Sequence, residues 1–337
     1  MNKSRQVRLA ARPQGMPRPD DFVIVDVPIS DPVAGGVLVQ NSWMSLDPAL
    51  RKRLSGQDSY MPGIGVGEPL DGAAVGVVIA SENASVPKGS TVVHRSGWRD
   101  LALIDGSIPQ SVRIVDTTVA SPEMYLGALG HTGFSAYIGM QRLASLQADD
   151  VVFVSGAAGA VGGIAGQLAR LAAGRVIGSV GTDEKVDHVI NDLGFDAAFN
   201  YTKESVGEAL SRIAGTGIDV YFDNVGGEHL NAAIEAARAH ARIVMCGAVS
   251  NYNQEKEVGL RNPFAIVAKR LTVSGFLIQD HAGLRASFER EMGSLLRTGD
   301  LVEPRTEVNG LDCAVGAFIG MLEGANIGKA LVKLATD

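Results

Sequence analysis

Cysteine is scarce in this sequence, with only Cys246 and Cys313 among 337 residues. Two thiols cannot build a disulfide-stapled scaffold or a four-cysteine zinc site, and each is expected to be a small buried apolar residue. The amino-terminal residues are basic but contain no apolar core of about 7–15 residues, so no secretory signal is predicted. We therefore expect a reducing, cytoplasmic setting.

Positive charge and long apolar runs are also in short supply. Lys and Arg number 30 against 37 Asp and Glu, for a formal net charge of −7. That balance argues against a broad basic surface for nucleic acid or an anionic membrane. No apolar run approaches the roughly 20 residues that span a bilayer. The composition is otherwise that of a globular protein, 46% hydrophobic and 20% charged, and the chain is long enough for two domains.

The first third of the chain is rich in predicted strands, which are short apolar runs split by Pro and Gly. They are residues 7–10, 22–25, 36–40, 74–79, 91–93 and 101–104. This spacing is typical of a compact, partly open barrel. A helical segment, interrupted at residues 130–133, is predicted over residues 123–141.

Strands and helices then alternate. The predicted strands are residues 151–155, 175–180, 197–200, 218–222, 241–246 and 271–276, and the main helices between and after them end near 173 or cover 184–193, 205–213, 228–239 and 286–296. Such alternation predicts an α/β fold with a doubly wound parallel sheet. Residues 303–333 return to short strands around an apolar helix over 314–322.

The stretch from Val151 to Gly174 joins a strand to a helix through a glycine turn. Gly156, Gly159 and Gly162 are spaced three residues apart. Without Cβ atoms the backbone can approach a pyrophosphate, and the helix N-terminus offers N–H groups with a partial positive charge. The turn favours a dinucleotide, and the alternative is a close-packed strand–helix corner of any α/β protein.

The next strand, residues 175–180, ends without the acidic residue that binds the ribose hydroxyls of NAD. Asp183 and Lys185 follow shortly after it. Loss of the acid and gain of a cation suit the 2′-phosphate of NADPH, and we assign Lys185 to that group. The alternative is that Asp183 caps the next helix and Lys185 is solvated.

Six motifs, in order along nearly the whole chain, carry a resemblance to a known family. They are residues 45–48 (SLDP), 129–137 (LGHTGFSAY), 157–162 (AAGAVG), 217–227 (GIDVYFDNVGG), 246–253 (CGAVSNYN) and 318–324 (FIGMLEG). On these motifs the chain resembles the zinc-independent medium-chain dehydrogenases/reductases. It is most similar to the branch that holds leukotriene B4 12-hydroxydehydrogenase/prostaglandin reductase and NADPH-dependent curcumin reductase.

The resemblance implies a GroES-like β-barrel catalytic domain with an inserted, doubly wound Rossmann domain. Residues 1–124 and 302–337 would form the catalytic domain, and residues 125–301 would bind NADPH. The family is typically a homodimer that pairs sheet edges near residues 271–276. No nucleic-acid or membrane partner is expected.

The resemblance also implies which residues contact NADPH. Gly159, Ala160, Val161 and Gly162 match the turn under the pyrophosphate. At the 2′-phosphate, the matching residues are Lys185 and Tyr201. Around the nicotinamide and its ribose, they are Cys246, Phe276 and Ile278. Near the nicotinamide amide, Ser135 replaces a family threonine. Two further matches are Asn224, in the Asp-Asn-Val-Gly-Gly motif, and Asn326, which reaches the cofactor from the other domain.

Tyr252 matches the family tyrosine that faces the substrate carbonyl. Independently, it follows a predicted strand, where ligands bind in open α/β sheets, and its phenol is a neutral donor that can stabilise an enolate oxygen. The alternative is a surface loop tyrosine. The implied activity is NADPH-dependent reduction of the carbon–carbon double bond of α,β-unsaturated ketones and aldehydes. The alternatives are a zinc-free NADPH:quinone oxidoreductase and a non-catalytic NADPH-binding sensor or structural protein.

Two positions depart from the family pattern. Ala49 stands where the family often has tyrosine, which would widen the substrate pocket or remove a contact, and His131 stands where it usually has methionine. His131 would line the pocket or donate a proton, or else be a loop histidine bonded to backbone. No histidine lies near Gly67 and Glu68 and no cysteine lies in the barrel segment, so the ligands of a zinc-dependent relative are missing and no metal is expected.

Overall fold

The computed structural model describes residues 2–56, 61–252 and 258–334. The chain divides into two compact units. The first comprises Met1–Gly127 with Arg305–Asp337, and the second is Ala128–Pro304, inserted between those two segments. Within the described ranges, no helix combines the length and the apolar character needed to cross a bilayer.

The first unit is built on two β-sheets. Strands β1 (Asn2–Leu9) and β2 (Phe22–Ile29) form an antiparallel pair. The larger sheet contains β3 (Gly36–Ser45), β4 (Ala74–Ser81), β5 (Thr91–His94), β6 (Leu101–Asp105), β7 (Val112–Ile114), β14 (Arg305–Asn309) and β15 (Lys329–Lys333). Its order is β14-β15-β3-β4-β5-β7, with β6 also on β3. Strands form at each of the six runs predicted in this region.

The larger sheet can curl because the long strand β3 pairs with different strands along its length. Its end pairs with β15 over residues 43–45, whereas its start pairs with β6 over residues 36–40. Its register against β4 shifts twice, once within the β6-paired region at residues 38–39 and once between the two regions at residues 41–43, and such irregularities bend a strand. One strand can therefore serve two parts of a barrel-like sheet, as the sequence predicted.

The carboxyl-terminal segment completes the core of the first unit. This unit also contains the helices α1 (Leu50–Leu54) and α9 (Ala314–Leu322). Phe318 of α9 packs edge-on against Trp98, with 5.8 Å between ring centroids, and against Phe22, at 6.4 Å. All three rings are buried. An apolar helix of this kind is stable only when other elements cover it, which explains why the chain returns to the first unit.

The second unit is a six-stranded parallel sheet between helices. Its strands are β8 (Val151–Ser155), β9 (Arg175–Val180), β10 (Ala197–Asn200), β11 (Ile218–Asp223), β12 (Ala237–Met245) and β13 (Thr272–Gly275), in the order β10-β9-β8-β11-β12-β13. Its helices are α2 (His131–Ile138), α3 (Ala160–Arg170), α4 (Asp183–Asn191), α5 (Val206–Ile213), α6 (Gly227–Ala236), α7 (Phe264–Ala268) and α8 (Arg285–Thr298). The strand order reverses between β8 and β11, and ligands of open α/β sheets bind at the carboxyl ends of such strands.

Two helix predictions are wrong at their boundaries. The predicted helix over residues 123–141 is a 3₁₀ turn, Pro122–Leu126, followed by α2 and a π-helix, Gly139–Leu143. Gly130 is the non-helical N-cap of α2, whereas residues 131–133 are helical instead of interrupting the helix. The predicted helix over residues 228–239 ends at Ala236, because Ala237 pairs with Ile218 in the sheet and His240 adopts φ +67°. Tertiary strand pairing overrides helix propensity there.

Candidate active site

Strand β8 enters the glycine turn that the sequence assigns to a pyrophosphate. Gly156 has φ +61°, and a Cβ built on Gly162 would lie 2.9 Å from the carbonyl carbon of Gly156. Gly159, Ala160 and Val161 are partly exposed. Helix α3 begins after Gly159 with no side-chain cap and no acidic residue in its first turn. Its partial positive charge therefore remains available to an anion.

The chain after β9 begins helix α4, and Thr182 is its N-cap. The Thr182 side chain accepts a hydrogen bond from the Lys185 backbone N–H at 3.3 Å. Asp183 is the first residue of the helix, so the alternative that it caps α4 is wrong. Lys185 is half-buried, and this burial lowers the pKa of its amine. A partly desolvated cation at this strand end suits an anionic ligand.

Tyr201 lies at the carboxyl end of the neighbouring strand. It directly follows β10, and its backbone N–H donates to the Val180 carbonyl at 3.0 Å. A Cβ built on Gly181 would lie 3.0 Å from the Tyr201 hydroxyl, so the phenol covers the end of β9. Its ring packs edge-on against that of His229, with 5.1 Å between centroids. Tyr201 therefore follows the strand beside β9, and Lys185 lies in the first turn of the helix that follows β9.

A buried polar network lies at the ends of β8 and β11. Asp223 is fully buried, and its Oδ1 accepts hydrogen bonds from the Tyr221 hydroxyl (2.7 Å) and from the backbone N–H groups of Val225 (2.9 Å) and Gly226 (2.7 Å). Burial raises the pKa of Asp223, against the opposing effect of these donors. The carboxylate fixes the turn that leads into α6.

Asn224 is held within this network by its backbone and by its side chain. Its backbone N–H donates to the Ser155 hydroxyl at 3.0 Å, and its Nδ2 donates to the Ser155 carbonyl at 2.7 Å. A Cβ on Gly156 would lie 3.7 Å from the Cβ of Asn224, so the candidate residue borders the glycine turn. The amide oxygen is the acceptor that Asn224 can offer to a ligand.

Cys246 follows β12 and borders the same network. Its backbone N–H donates to the Asp223 carbonyl at 2.9 Å. Burial raises the pKa of the Cys246 thiol to about 12, and the Asp223 carboxylate adds to the shift. The thiol therefore stays protonated at neutral pH and is a poor nucleophile.

Tyr252 is the last described residue before position 258 in the segment that starts at Cys246. It follows a 3₁₀ turn, Val249–Asn251, and its backbone N–H donates to the Val249 carbonyl at 3.2 Å. The side chain is half-buried. The Ser250 hydroxyl donates to the Val225 carbonyl at 2.6 Å, which ties this loop to the turn after β11. Asn253, the last residue of the predicted motif, lies outside the described residues.

Helix α2 contributes Ser135, which is half-buried on a helix that packs against α3. His131 is the exposed first residue of the helix, so the interpretation as a loop histidine is wrong. A Cβ on Gly133 would lie 2.9 Å from the Ala128 Cα, which explains a glycine inside this helix. The chain needs this close approach to bring the start of α2 back onto the preceding turn.

Three remaining candidates lie farther along the chain. Phe276 follows the outer strand β13, and Ile278 begins a 3₁₀ helix, Ile278–Leu284; both are half-buried. Asn326 belongs to the first unit, where its Nδ2 donates to the Gly328 carbonyl at 2.8 Å. Across residues 2–56, 61–252 and 258–334, no three His, Cys, Asp or Glu side chains are grouped so that they could hold a metal ion.

Comparison with known proteins decides the family. One family model, described as the N-terminal domain of oxidoreductase, matches residues 5–112, and another, described as zinc-binding dehydrogenase, matches residues 160–296. The chain is 34% identical to 2-alkenal reductase (NADP(+)-dependent) of Nicotiana tabacum over 339 residues, covering 99% of this chain and 98% of the relative. The chain belongs to the medium-chain dehydrogenase/reductase family.

Further relatives fall in the same branch of the medium-chain reductases. The NADPH-dependent curcumin reductase of Escherichia coli is 34% identical over 342 residues, covering 99% of this chain and 98% of that protein. The crystal structure of CurA in complex with NADPH from Vibrio vulnificus matches with a TM-score of 0.93 at 34% identity, covering 99% of this chain and 100% of that chain. The fold is therefore a GroES-like barrel with an inserted Rossmann domain, as the sequence predicted.

A buried lysine in this medium-chain reductase was not predicted from the sequence. Lys329 is 2% exposed, and its Nζ donates to the Leu46 carbonyl (3.0 Å) and to Asp47 Oδ1 (2.8 Å). Asp47 also accepts from the Ser45 hydroxyl at 2.6 Å. The amine therefore fixes the motif that precedes Ala49. The signal that could have indicated it is a lysine directly before the apolar run Ala330-Leu331-Val332.

The role of Asp223 was not predicted either, although the residue belongs to one of the six motifs. An acidic residue at the end of the apolar run Val220-Tyr221-Phe222 must either reach solvent or find buried donors. The spacing of Tyr221 and Asp223, which lie two residues apart and so share one face of the strand, would have indicated the hydroxyl as one donor.

Proposed function

We propose that this protein reduces the carbon–carbon double bond of α,β-unsaturated ketones and aldehydes with NADPH. The observation that carries the proposal is its end-to-end similarity to reductases named for 2-alkenals and for curcumin. Fold likeness alone would not distinguish such an enzyme from other oxidoreductases. Here the similarity covers the Tyr252 loop as well as the cofactor turn.

The second unit fits NADPH on three structural grounds. The glycine turn has no space for a Cβ on Gly162, and α3 begins without a side-chain cap or an acid. The half-buried Lys185 lies in the first turn of the helix after β9, and the phenol of Tyr201 covers the end of that strand. The residues that would hold the cofactor are Gly159, Ala160, Val161, Gly162, Lys185, Tyr201, Asn224, Cys246, Phe276, Ile278, Ser135 and Asn326.

NADPH, when bound, supplies a hydride for the β-carbon of the substrate. Negative charge then gathers on the carbonyl oxygen as an enolate, and a hydrogen-bond donor aimed at that oxygen lowers the barrier. Tyr252 supplies this donor in our proposal, because its phenol is neutral near pH 7 and its loop is anchored through Ser250. Protonation at the α-carbon completes the reduction.

The roles of the two domains follow from this assignment. Residues 125–301 bind NADPH, and residues 1–124 with 302–337 shape the substrate pocket. In this proposal, the lack of a tyrosine at Ala49 either widens the substrate pocket or removes a contact with the substrate. We place the enzyme in the cytoplasm, without a nucleic-acid or membrane partner, because of its acidic balance and its two cysteines.

The protein also has an edge suited to a homodimer. Strand β13 is the outer strand of the second unit's sheet, and the preceding helix α7 exposes Phe264 (70%) and Val267 (65%). Unpaired strand edges with large exposed apolar side chains are aggregation-prone unless they are covered. A second copy of this chain, pairing along β13, would cover both features.

A substrate panel tests the proposed function. Enones, enals and quinones are offered with NADPH and with NADH to the wild type, to Tyr252→Phe and to Tyr125→Phe, a matched control whose hydroxyl donates to the Asp116 carbonyl. We expect enone reduction with NADPH and a loss of roughly 100-fold in kcat for Tyr252→Phe only. Turnover of quinones alone would contradict the proposal. An unchanged rate in Tyr252→Phe would remove that residue from the mechanism.

A further inference from the structure

A carboxylate lies in the cluster that is proposed to bind the 2′-phosphate. Asp183 is three residues beyond the end of β9 and two residues before Lys185. Its Oδ1 accepts a hydrogen bond from Asn200 Nδ2 at 2.9 Å, and its Oδ2 forms an ion pair with Lys203 Nζ. Both contacts lower the pKa of Asp183, with the Asn200 bond as the larger cause, so the group is ionised at neutral pH.

Asn200 has only one way to face this carboxylate. It is the last residue of β10, opposite Val180 of β9, and is 8% exposed. Its Oδ1 accepts from the Thr202 backbone N–H at 3.0 Å and from the Thr202 hydroxyl at 2.7 Å. Because the oxygen is occupied by donors, the amide nitrogen must face Asp183. The orientation of the Asp183 side chain is thus determined from the neighbouring strand.

The ion pair does little for folding. The side chains of Lys203 and Asp183 are 66% and 60% exposed, and pairs so open to water add little to stability. Their place in the molecule gives them another use. A free acid at the end of the second strand binds the ribose hydroxyls of NADH and repels the charged 2′-phosphate of NADPH.

We propose that Lys203 and Asn200 are specificity-determining residues, which favour NADPH over NADH by holding and neutralising Asp183. The inference rests on the proposed cofactor and extends it to two residues that the family resemblance does not assign to the nucleotide. Lys185 and Tyr201 attract the phosphate, whereas Lys203 cancels a carboxylate that the start of α4 places beside them. Because Asn200 and Lys203 hold the Asp183 carboxylate toward β10, it also does not bind the ribose hydroxyls in this proposal.

Nucleotide binding tests this without any substrate. NADPH and NADH dissociation constants are measured by fluorescence titration for the wild type, Lys203→Met, Asp183→Asn and the double variant. We expect Lys203→Met to weaken NADPH binding about three- to tenfold, with NADH binding unchanged or tighter, because an unpaired carboxylate now faces the phosphate. The double variant, which lacks that carboxylate, should regain wild-type preference. The loss should shrink at high salt.

A second ion pair provides the matched control. Arg238 donates to Asp219 at 2.6 Å near the amino ends of the strands, and Arg238→Met should leave both dissociation constants unchanged. No change of preference in Lys203→Met would overturn the proposal. So would a double variant as weak for NADPH as Lys203→Met, since Lys203 would then act on the phosphate itself. Wild-type protein that binds neither nucleotide would instead overturn the proposed function.

Discussion

At the scale of single residues, we expect removal of the Tyr221 hydroxyl to destabilise the network beside the cofactor turn directly. Its hydroxyl donates to the buried Asp223 and lies 3.0 Å from the Ser155 hydroxyl. Tyr221→Phe leaves a buried carboxylate with one donor fewer, which we expect to cost about 1–3 kcal/mol in the free energy of unfolding. Urea titration followed by circular dichroism measures this loss.

The control for Tyr221→Phe is the same substitution at Tyr125, whose hydroxyl meets a neutral backbone carbonyl at 2.7 Å. Its loss should cost about 1 kcal/mol, because a bond to a neutral acceptor is worth less than one to a charged group. Equal losses in the two variants would show that Asp223 does not depend on the Tyr221 hydroxyl.

The places of residues with a distinct backbone role, such as the turn glycines, could be predicted from the sequence. The partners of buried polar groups could not. The glycine spacing at residues 156–162 reports a local requirement for missing Cβ atoms, so sequence alone could place that turn. The partners of Asp223 and Lys329 come from distant segments, and only packing decides whether such groups are exposed or paired. The N-cap of α4 is a similar case. Asn200, on another strand, donates a hydrogen bond to the Asp183 carboxylate, and Thr182 is the residue that caps the helix.

At the scale of elements, the start of α3 is a tightly constrained helix terminus. A Cβ on Gly162 would meet the Gly156 backbone, whereas a Cβ on Gly207, in the first turn of α5, would have no neighbour within 4 Å, and Gly207 has no positive φ. We therefore expect Gly162→Ala to destabilise the second unit and to abolish tight NADPH binding. Gly207→Ala should stabilise it by roughly 0.4–1 kcal/mol, since alanine loses less backbone entropy on folding.

Thermal unfolding and NADPH titration of the two glycine variants distinguish these outcomes. A Gly162→Ala protein that binds NADPH like the wild type would show that α3 can shift outward without loss of the site. Element types were largely predictable because the periodicity of each segment is local. Boundaries such as the end of α6 were not, because strand pairing of Ala237 with Ile218 decides them.

At the scale of the whole molecule, the proposed dimer depends on the exposed face of α7 beside β13. The double variant Phe264→Asp/Val267→Asp should convert a wild-type dimer to a monomer, because two buried charges without partners would oppose association. Sedimentation velocity measures the mass of each species. Val33→Asp, at a 79% exposed apolar residue of the first unit, is the control and should remain dimeric. A monomeric wild type, or a dimeric double variant, would contradict the assignment.

The two-unit plan could be predicted from the order of patterns along the chain, β-rich, then alternating, then β-rich again. The contribution of residues 305–334 to the first core follows from that order only once a fold is assumed, because nothing local in α9 indicates that Phe318 meets Trp98. Long-range pairings of this kind carry no short-range signal. The same long-range packing buries titratable groups, and the stability of the folded protein then depends on their protonation.

Two buried histidines should make the folded protein sensitive to mild acid. Burial lowers the pKa of His94 to about 3 and that of His229 to about 4. Each histidine stays neutral in the folded state, whereas in the unfolded chain its pKa is near 6.5 and it takes up a proton. Stability is therefore lost as pH falls from about 6.5 toward 4.

The expected slope of the unfolding free energy is about 1.4 kcal/mol per pH unit for each histidine. Urea titrations at pH 7, 6, 5 and 4.5 should show shallower slopes for His229→Gln and His94→Gln than for the wild type. A wild-type stability that is flat between pH 6.5 and 4.5, with the same slope in both variants, would contradict the prediction that these two rings take up protons only on unfolding.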